Sequence, residues 1–287
     1  MTQASDKARK ERLVFGILAV SALVVMVPVI AVIVYLIVKG ISAISWSFLT
    51  EMPRDGMRAG GIKPALLGTL YLMAGTIMFA VPIGITAAIY LNEYAGKNAL
   101  TRLIRLAIVN LAGVPSIVYG LFGLGFFILF LHVSDGRSIL AGALTLGLMT
   151  LPVIITSTEE ALIAVPNSFR DGSLALGATK WSTIWRIVLP NSAAGIITGV
   201  ILGVGRAAGE TAPIMFTAAA YYTMRLPRSP LDECMALPYQ LYVLAAEGFD
   251  IPARMQWGTA VTLLLIILSM NLVATLIRSR FRRMRTW

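Results

Sequence analysis

The sequence predicts an all-α polytopic membrane protein with six transmembrane helices, and three observations carry that prediction. Of the 287 residues, 57% are hydrophobic and only 13% charged, with a mean hydropathy of +0.81, too apolar for a soluble domain with a polar shell. The apolar residues come in runs of about 20 or more, enough for helices to cross the roughly 30 Å hydrocarbon layer. The alternating pattern of barrel strands is missing, and lipid tolerates no other spanning structure with a satisfied backbone.

The six spans are expected near 14–38, 65–91, 106–131, 139–157, 192–220 and 257–277. The first run, Leu13 to Val38, is too long for a signal-peptide core and no small-residue cleavage pattern follows it, so it should remain as an anchor. Counting Lys and Arg in the connecting segments gives 15 on the side of the N-terminus and 8 on the other. The positive-inside rule then puts both termini in the cytoplasm, with the basic tail as a topology anchor that touches anionic membrane lipid. The expected organisation is a cytoplasmic segment 1–12, a first span and outer loop 13–64, a core 65–220 with a cytoplasmic loop at 158–190, an outer loop 221–256 and a last span with its tail 257–287. Four prolines, Pro227, Pro230, Pro238 and Pro252, break up the outer loop and make it a partly folded cap.

Composition also excludes several functions. The net charge of +10 sits at the ends of apolar runs and forms no basic stripe, which argues against a nucleic-acid partner. One cysteine, Cys234, and one histidine, His132, leave neither a disulfide nor a zinc or haem constellation, so no metal or cofactor is expected. The chain has no GxxxxGK[ST] phosphate loop and is expected to be non-catalytic.

The loop between spans four and five, EEALIAVPNSFRDGSLALGATKWSTIWRIVLP, has too much pattern for a simple connector. Pro166 breaks the preceding helix and Asn167 or Ser168 caps a short new one. Gly177 supplies a left-handed turn, and Thr179 or Lys180 opens a second helix ending at Pro190. Trp181, Ile184, Trp185 and Val188 share a face at helical spacing. Two short helices at a sharp angle are expected.

This loop resembles the ATPase-docking loop of ABC-importer permeases, in which an EAA triplet, three residues, Gly, nine residues, Ile, one residue and Leu-Pro follow in order. Asp171, Gly172 and Ser173 stand at the triplet, directly after Arg170, and Gly177, Ile187, Leu189 and Pro190 take the remaining offsets. Asp for Glu and Gly-Ser for Ala-Ala are departures from the pattern that soften the first helix. The stretches AGGIKPALLGTLYL, AVPIGITAAIYLNEYA, LAGVPSIVYGLFGLG, VPNSFRDGSLALGATKW and GVGRAAGETAPIMFTAA are similar to permeases of phosphate ABC importers, PstA-type ahead of PstC-type. The resemblance implies a type I ABC-importer permease fold with cytoplasmic coupling helices, working with a paralogous permease, an ATP-binding cassette ATPase dimer and an external phosphate-binding protein. Inorganic phosphate is the implied substrate, and the loop is the implied route for ATP energy.

Span five carries the one charge that demands an account. Arg206 lies near its middle, where a cation costs roughly 2.5–3.5 kcal/mol or more, so it must face protein or water. Glu210 follows four residues later on the same face. Gly199, Gly203, Arg206, Glu210, Pro213 and Thr217 make a stripe of small and polar residues, with Arg206, Glu210 and Thr217 as pathway candidates. Pro213 should kink the helix and free the Gly209 carbonyl. Gly195, Gly199 and Gly203, and separately Gly205 and Gly209, are spaced for close helix approach. Arg206 either presents a cation to a passing phosphate, with Glu210 holding it between anions, or forms a structural ion pair with Glu210. Asn110, Ser116 and Tyr119 either line a polar path or, as is commoner for Ser and Tyr in a glycine-rich membrane helix, hydrogen-bond to neighbouring helices, and Glu159 and Glu160 read as solvated charges. Other open readings are a permease for phosphonate or sulfate, a self-contained secondary transporter, and a membrane sensor or scaffold.

Overall fold

A computed structural model describes residues 2–96, 98–246 and 251–283. Lys97 and Arg285, counted toward orientation, and parts of the outer loop and basic tail lie outside the described residues. In chain order the elements are α1 (Thr2–Gly40), α2 (Trp46–Thr50), a two-residue hairpin of β1 (Pro53–Arg54) and β2 (Ala59–Gly60), and α3 (Lys63–Ile89), which runs into a π-turn at Tyr90–Tyr94. Then come α4 (Ala99–Ala112), α5 (Ser116–Gly123) with a π-helical extension Leu124–Phe130, α6 (Ile139–Ile163), α7 (Asn167–Ala175), and α8 (Lys180–Thr183). A π-turn at Ile184–Val188 leads into α9 (Leu189–Gly209), followed by α10 (Ala212–Thr217), α11 (Leu237–Ala246) and α12 (Ala253–Arg283).

Among the described residues, five helical runs are long and apolar enough to cross a membrane: Leu13–Ala43, Lys63–Tyr94, Ile139–Ile163, Lys180–Gly209 and Ala253–Arg280. The expected third span is not one straight helix. Its residues form α4 and α5, bent by 106° at Gly113–Pro115. Pro115 offers no N–H to continue α4 and pushes Val114 out of helical conformation, so the pair counts as a sixth span only as a broken one.

The core is built around α6, which packs against α3 on one side and α9 on the other. Small residues permit the approach. A methyl on Gly195 would stand 2.5 Å from the Ala161 Cβ, one on Gly199 2.3 Å from the Ser157 Cβ, and one on Gly203 3.1 Å from Ile154. Gly205 and Gly209 face Asn271 and Ile267 of α12 instead, so the two sets of spaced glycines serve two different neighbours. Along α1, Leu13 to Val38 stays largely exposed, and its end meets α12 through an edge-on Tyr35–Trp257 contact at 5.5 Å.

At the bundle end remote from the 164–180 loop, residues 217–246 fold back onto the core. The first N–H groups of α6 donate to this segment, Ser138 to the Thr217 carbonyl, Ile139 to that of Asp232 and Leu140 to that of Pro230, at 2.8–2.9 Å. Cys234, Met235 and Leu237 are fully buried, and α11 closes a cluster with Phe48, Met57 and Ile62. The cap expected from the prolines is therefore ordered where it is described, because its carbonyls satisfy a helix terminus.

Candidate functional site at the interrupted helices

The expected kink in span five is a complete break. α9 ends at Gly209, Glu210 is extended (φ −75°, ψ 131°), and α10 restarts at Ala212. Pro213 cannot donate to the Gly209 carbonyl and its ring opposes that turn, while Gly209 is itself a weak helix former. The stripe therefore does not run as one line down one helix.

The depth of this break follows from the α6–α9 register. Gly195 lies opposite Ala161 and Gly199 opposite Ser157, so counting on antiparallel places Arg206 level with Thr150, next to the midpoint of α6. Arg206 stands at the last turn of α9, whose unpaired carbonyls carry partial negative charge and favour a cation. Its Nε donates to Glu210 Oε1 at 3.3 Å, with side-chain exposures of 46% for Arg206 and 18% for Glu210. Glu210 borders a narrow crevice lined by Thr69, Leu72, Leu146 and Ile214.

The other broken helix packs beside this one. A methyl on Gly120 of α5 would lie 3.0 Å from the Ala212 carbonyl and from the Pro213 Cα, and Gly123 is pressed against Thr145 and Thr217. The Tyr119 hydroxyl donates to the Leu111 carbonyl at 2.9 Å, bridging the bend between α4 and α5, and the residue is within electrostatic range of Arg206. Tyr119 thus stands beside the site. The legible signal was the pair of breakers, Gly113-Val114-Pro115 and Gly209 with Pro213, whose mutual contact only the fold supplies. Asn110 is exposed at the end of α4 and Ser116 is half-buried. Thr217 is fully buried, its hydroxyl donating to the Pro213 carbonyl at 2.8 Å, so it is not grouped with Arg206 and Glu210.

The loop end shows the expected sharp turn. Gly177 is left-handed (φ +82°), with its N–H donating to the Leu174 carbonyl and that of Ala178 to Ser173, the paired bonds of a Schellman cap. Thr179 caps α8 by accepting from the Ser182 N–H. α7 differs from expectation, since Pro166 occupies the cap position and makes no side-chain capping bond. The second helix does not stop at Pro190 but continues through the π-turn into α9. The wider π-turn removes the tight contact that Pro190 would otherwise make with the preceding turn.

Nor do the four apolar residues of this helix share one buried face. Ile184 and Val188 are buried, whereas Trp181 and Trp185 meet in a tilted contact, ring centres 5.3 Å apart, and are 62% and 52% exposed. Asp171 and Gly172 are exposed, Ser173 is buried with its hydroxyl 2.9 Å from Thr183 Oγ1, Ile187 and Leu189 are half-buried and Pro190 is exposed. Leu176 at the turn is 90% exposed. Arg170 points inward, forming an ion pair with Glu93 at 2.8 Å. Glu159 is not a solvated charge: its carboxylate is 11% exposed and lies 3.0 Å from Arg105. Glu93 and Arg105 carried no sequence signal, because an acid or base just past an apolar run reads as solvated unless its distant partner is known.

Comparison with known proteins agrees with this architecture. The family model described as binding-protein-dependent transport system inner membrane component matches residues 80–284. The chain is 34% identical over 262 residues to the phosphate transport system permease protein PstA 1 of Mycobacterium tuberculosis (strain CDC 1551 / Oshkosh), covering 90% of this chain and 85% of that protein. It is 30% identical over 265 residues to the PstA of Haemophilus influenzae, covering 92% of each. Among solved structures, a bacterial alginate ABC transporter with a pentasaccharide-bound periplasmic protein aligns at a TM-score of 0.63 and 15% identity, over 94% of this chain and 96% of the other. An inward-facing MetNI methionine ABC transporter aligns at 0.62 and 17%, over 76% and 96%. At those identities the structures establish the fold alone. The chain belongs to the family of binding-protein-dependent transport system inner membrane components, among its PstA-type permeases.

Proposed function

We propose that this chain is one of two permeases that form the path of an ATP-driven inorganic phosphate importer in a bacterial or archaeal cytoplasmic membrane, with both termini cytoplasmic. The observation that carries the reading is Arg206, a half-exposed guanidinium at mid-depth beside a broken backbone. A charge and open peptide groups at that depth require an aqueous path or a protein neighbour. Phosphate supplies one to two negative charges and oxygens that match the guanidinium fork, and Glu210 neutralises the arginine between anions. One arginine binds an anion weakly enough to release it.

Energy enters through the loop. Leu176, Trp181 and Trp185 form an exposed apolar surface beside Asp171 and Gly172, suited to a cleft of a separate ATPase dimer. A PstC-type permease would face the exposed side of Arg206, and a phosphate-loaded external protein would deliver the ion at the opposite end. The PstA names of the relatives support phosphate among the oxyanions that a guanidinium fits.

The test replaces Arg206 by Gln in the assembled transporter and measures phosphate uptake with sulfate as competitor. Uptake is expected to fall at least tenfold, the order of one charge-assisted contact of 1.5–3 kcal/mol, while the stimulated ATPase persists. Normal uptake removes Arg206 from the path, and restoration by the double exchange Arg206→Glu, Glu210→Arg assigns the pair a structural role instead.

A further inference from the structure

We propose that the π-turn Tyr90–Tyr94 at the end of α3 is the receiver through which the loop moves the membrane helices, with Glu93 and Tyr94 as its positioning residues. The proposal rests on the reading that the loop docks a separate ATPase, and it names where the motion goes next.

Three basic side chains from three different elements close on these five residues. Arg170 of α7 reaches the Glu93 carboxylate with Nη2 at 2.8 Å and Nε at 3.4 Å, a two-pronged contact. Those side chains are only 16% and 7% exposed, so the pair is shielded from water and firmly placed. Lys180, the first residue of α8, holds its ammonium 5.0 Å from the centre of the Tyr94 ring. Arg105 of α4 donates to the Leu91 carbonyl at 2.8 Å and pairs with Glu159 of α6. Both arms of the sharp loop, α7 and α8, therefore grip the same turn.

The π geometry is what makes the turn available. In an α-helix the Ala95 N–H would bond to the Leu91 carbonyl. Here it bonds to Tyr90 at 2.8 Å instead, which frees Leu91 for the Arg105 guanidinium. A regular helix end would leave α4 without this attachment.

Two rods then run from the loop to the interrupted helices. One is covalent, because Lys180–Gly209 is a single helical run from α8 to the turn bearing Arg206. The other is α3, joined to the loop by the polar grip and by the packing of its last residue, Ile89, in a cluster with Phe169 and Val188, and its Thr69, Leu72 and Met73 line the same crevice as Glu210. The grip adds a charged, shielded attachment to that apolar packing, so displacing the loop carries both rods together most firmly while it holds. Without it the crevice walls follow the loop less closely.

The experiment uses the complete heteromeric transporter in lipid vesicles, with phosphate-loaded binding protein, and reads ATP hydrolysed per phosphate imported. Glu93→Gln and Tyr94→Leu are expected to keep stimulated ATPase near the wild-type rate while raising that ratio on the order of tenfold. Tyr94→Phe keeps the aromatic face and is expected to match wild type. An unchanged ratio in both variants, whether the two rates hold or fall together, overturns the proposal. If Glu93→Gln does not assemble, Tyr94→Leu decides, since that side chain is partly exposed and its loss leaves the ion pair intact. A wild-type complex that imports no phosphate overturns the functional reading and the grip with it. A coupled wild type with unaltered variants overturns the grip alone.

Discussion

Glu159 of α6 and Arg105 of α4 meet at 3.0 Å, with the carboxylate almost wholly buried and the guanidinium 39% exposed. This contact holds the bent half of the third span to the core, for α4 buries none of its own residues. Removing the arginine leaves a desolvated carboxylate. Arg105→Ala is expected to lower complex stability by roughly 1–3 kcal/mol, less than a fully enclosed pair because water reaches the arginine. A shift in the thermal midpoint of purified complex checks this, and an unshifted midpoint with full assembly would contradict it.

The α6–α9 seam leaves no room for side chains on its glycines. At Gly199 a Cβ meets Ser157 at 2.3 Å, so Gly199→Leu must separate the helices and is expected to abolish assembly. Gly16, which has open space around it, provides the control, since Gly16→Leu should assemble normally. Blue-native electrophoresis of the two variants reads the difference.

Gly177 sits at φ +82° with nothing near its Cα hydrogens. Gly177→Val meets no clash but strains the backbone by about 1–2 kcal/mol, loosening the angle between α7 and α8. Uptake is expected to fall several-fold while the complex still assembles, because the strain is confined to the turn. Loss of the assembled complex would make the turn a folding element instead.

Burial pushes the Cys234 thiol from an ordinary 9.0 up to about 12. The neutral form is the one the fold favours, so its contribution is complete below about pH 9 and is lost as pH rises toward 12. At pH 8 the thiol should resist maleimide in folded protein and react after denaturation. Fast labelling of folded protein would place the 217–246 cap away from the core.

The sequence by itself determined most of the bundle. The apolar runs at 14–38, 139–157 and 257–277 lie within helices of the structure, since run length and lipid thickness leave little choice. The left-handed turn at Gly177 and the close approach at Gly195, Gly199 and Gly203 were equally legible, as each depends on local backbone geometry or on the absence of a side chain. Arg206 and Glu210 were legible as a pair from their spacing of four, although the helix ends at Gly209 and Glu210 meets Arg206 from extended backbone. What tertiary structure decided was everything set by a distant partner: whether a proline bends a helix or ends it, that two breaks in different helices meet beside Tyr119, that Thr217 is buried, that Glu159 is desolvated and that Arg170 turns inward to Glu93. Proline chemistry in sequence states only that a hydrogen bond is missing. Whether the chain then kinks or breaks depends on which neighbours cover the freed groups, and those neighbours are distant in sequence, as Gly120 is from the Ala212 carbonyl it lies against.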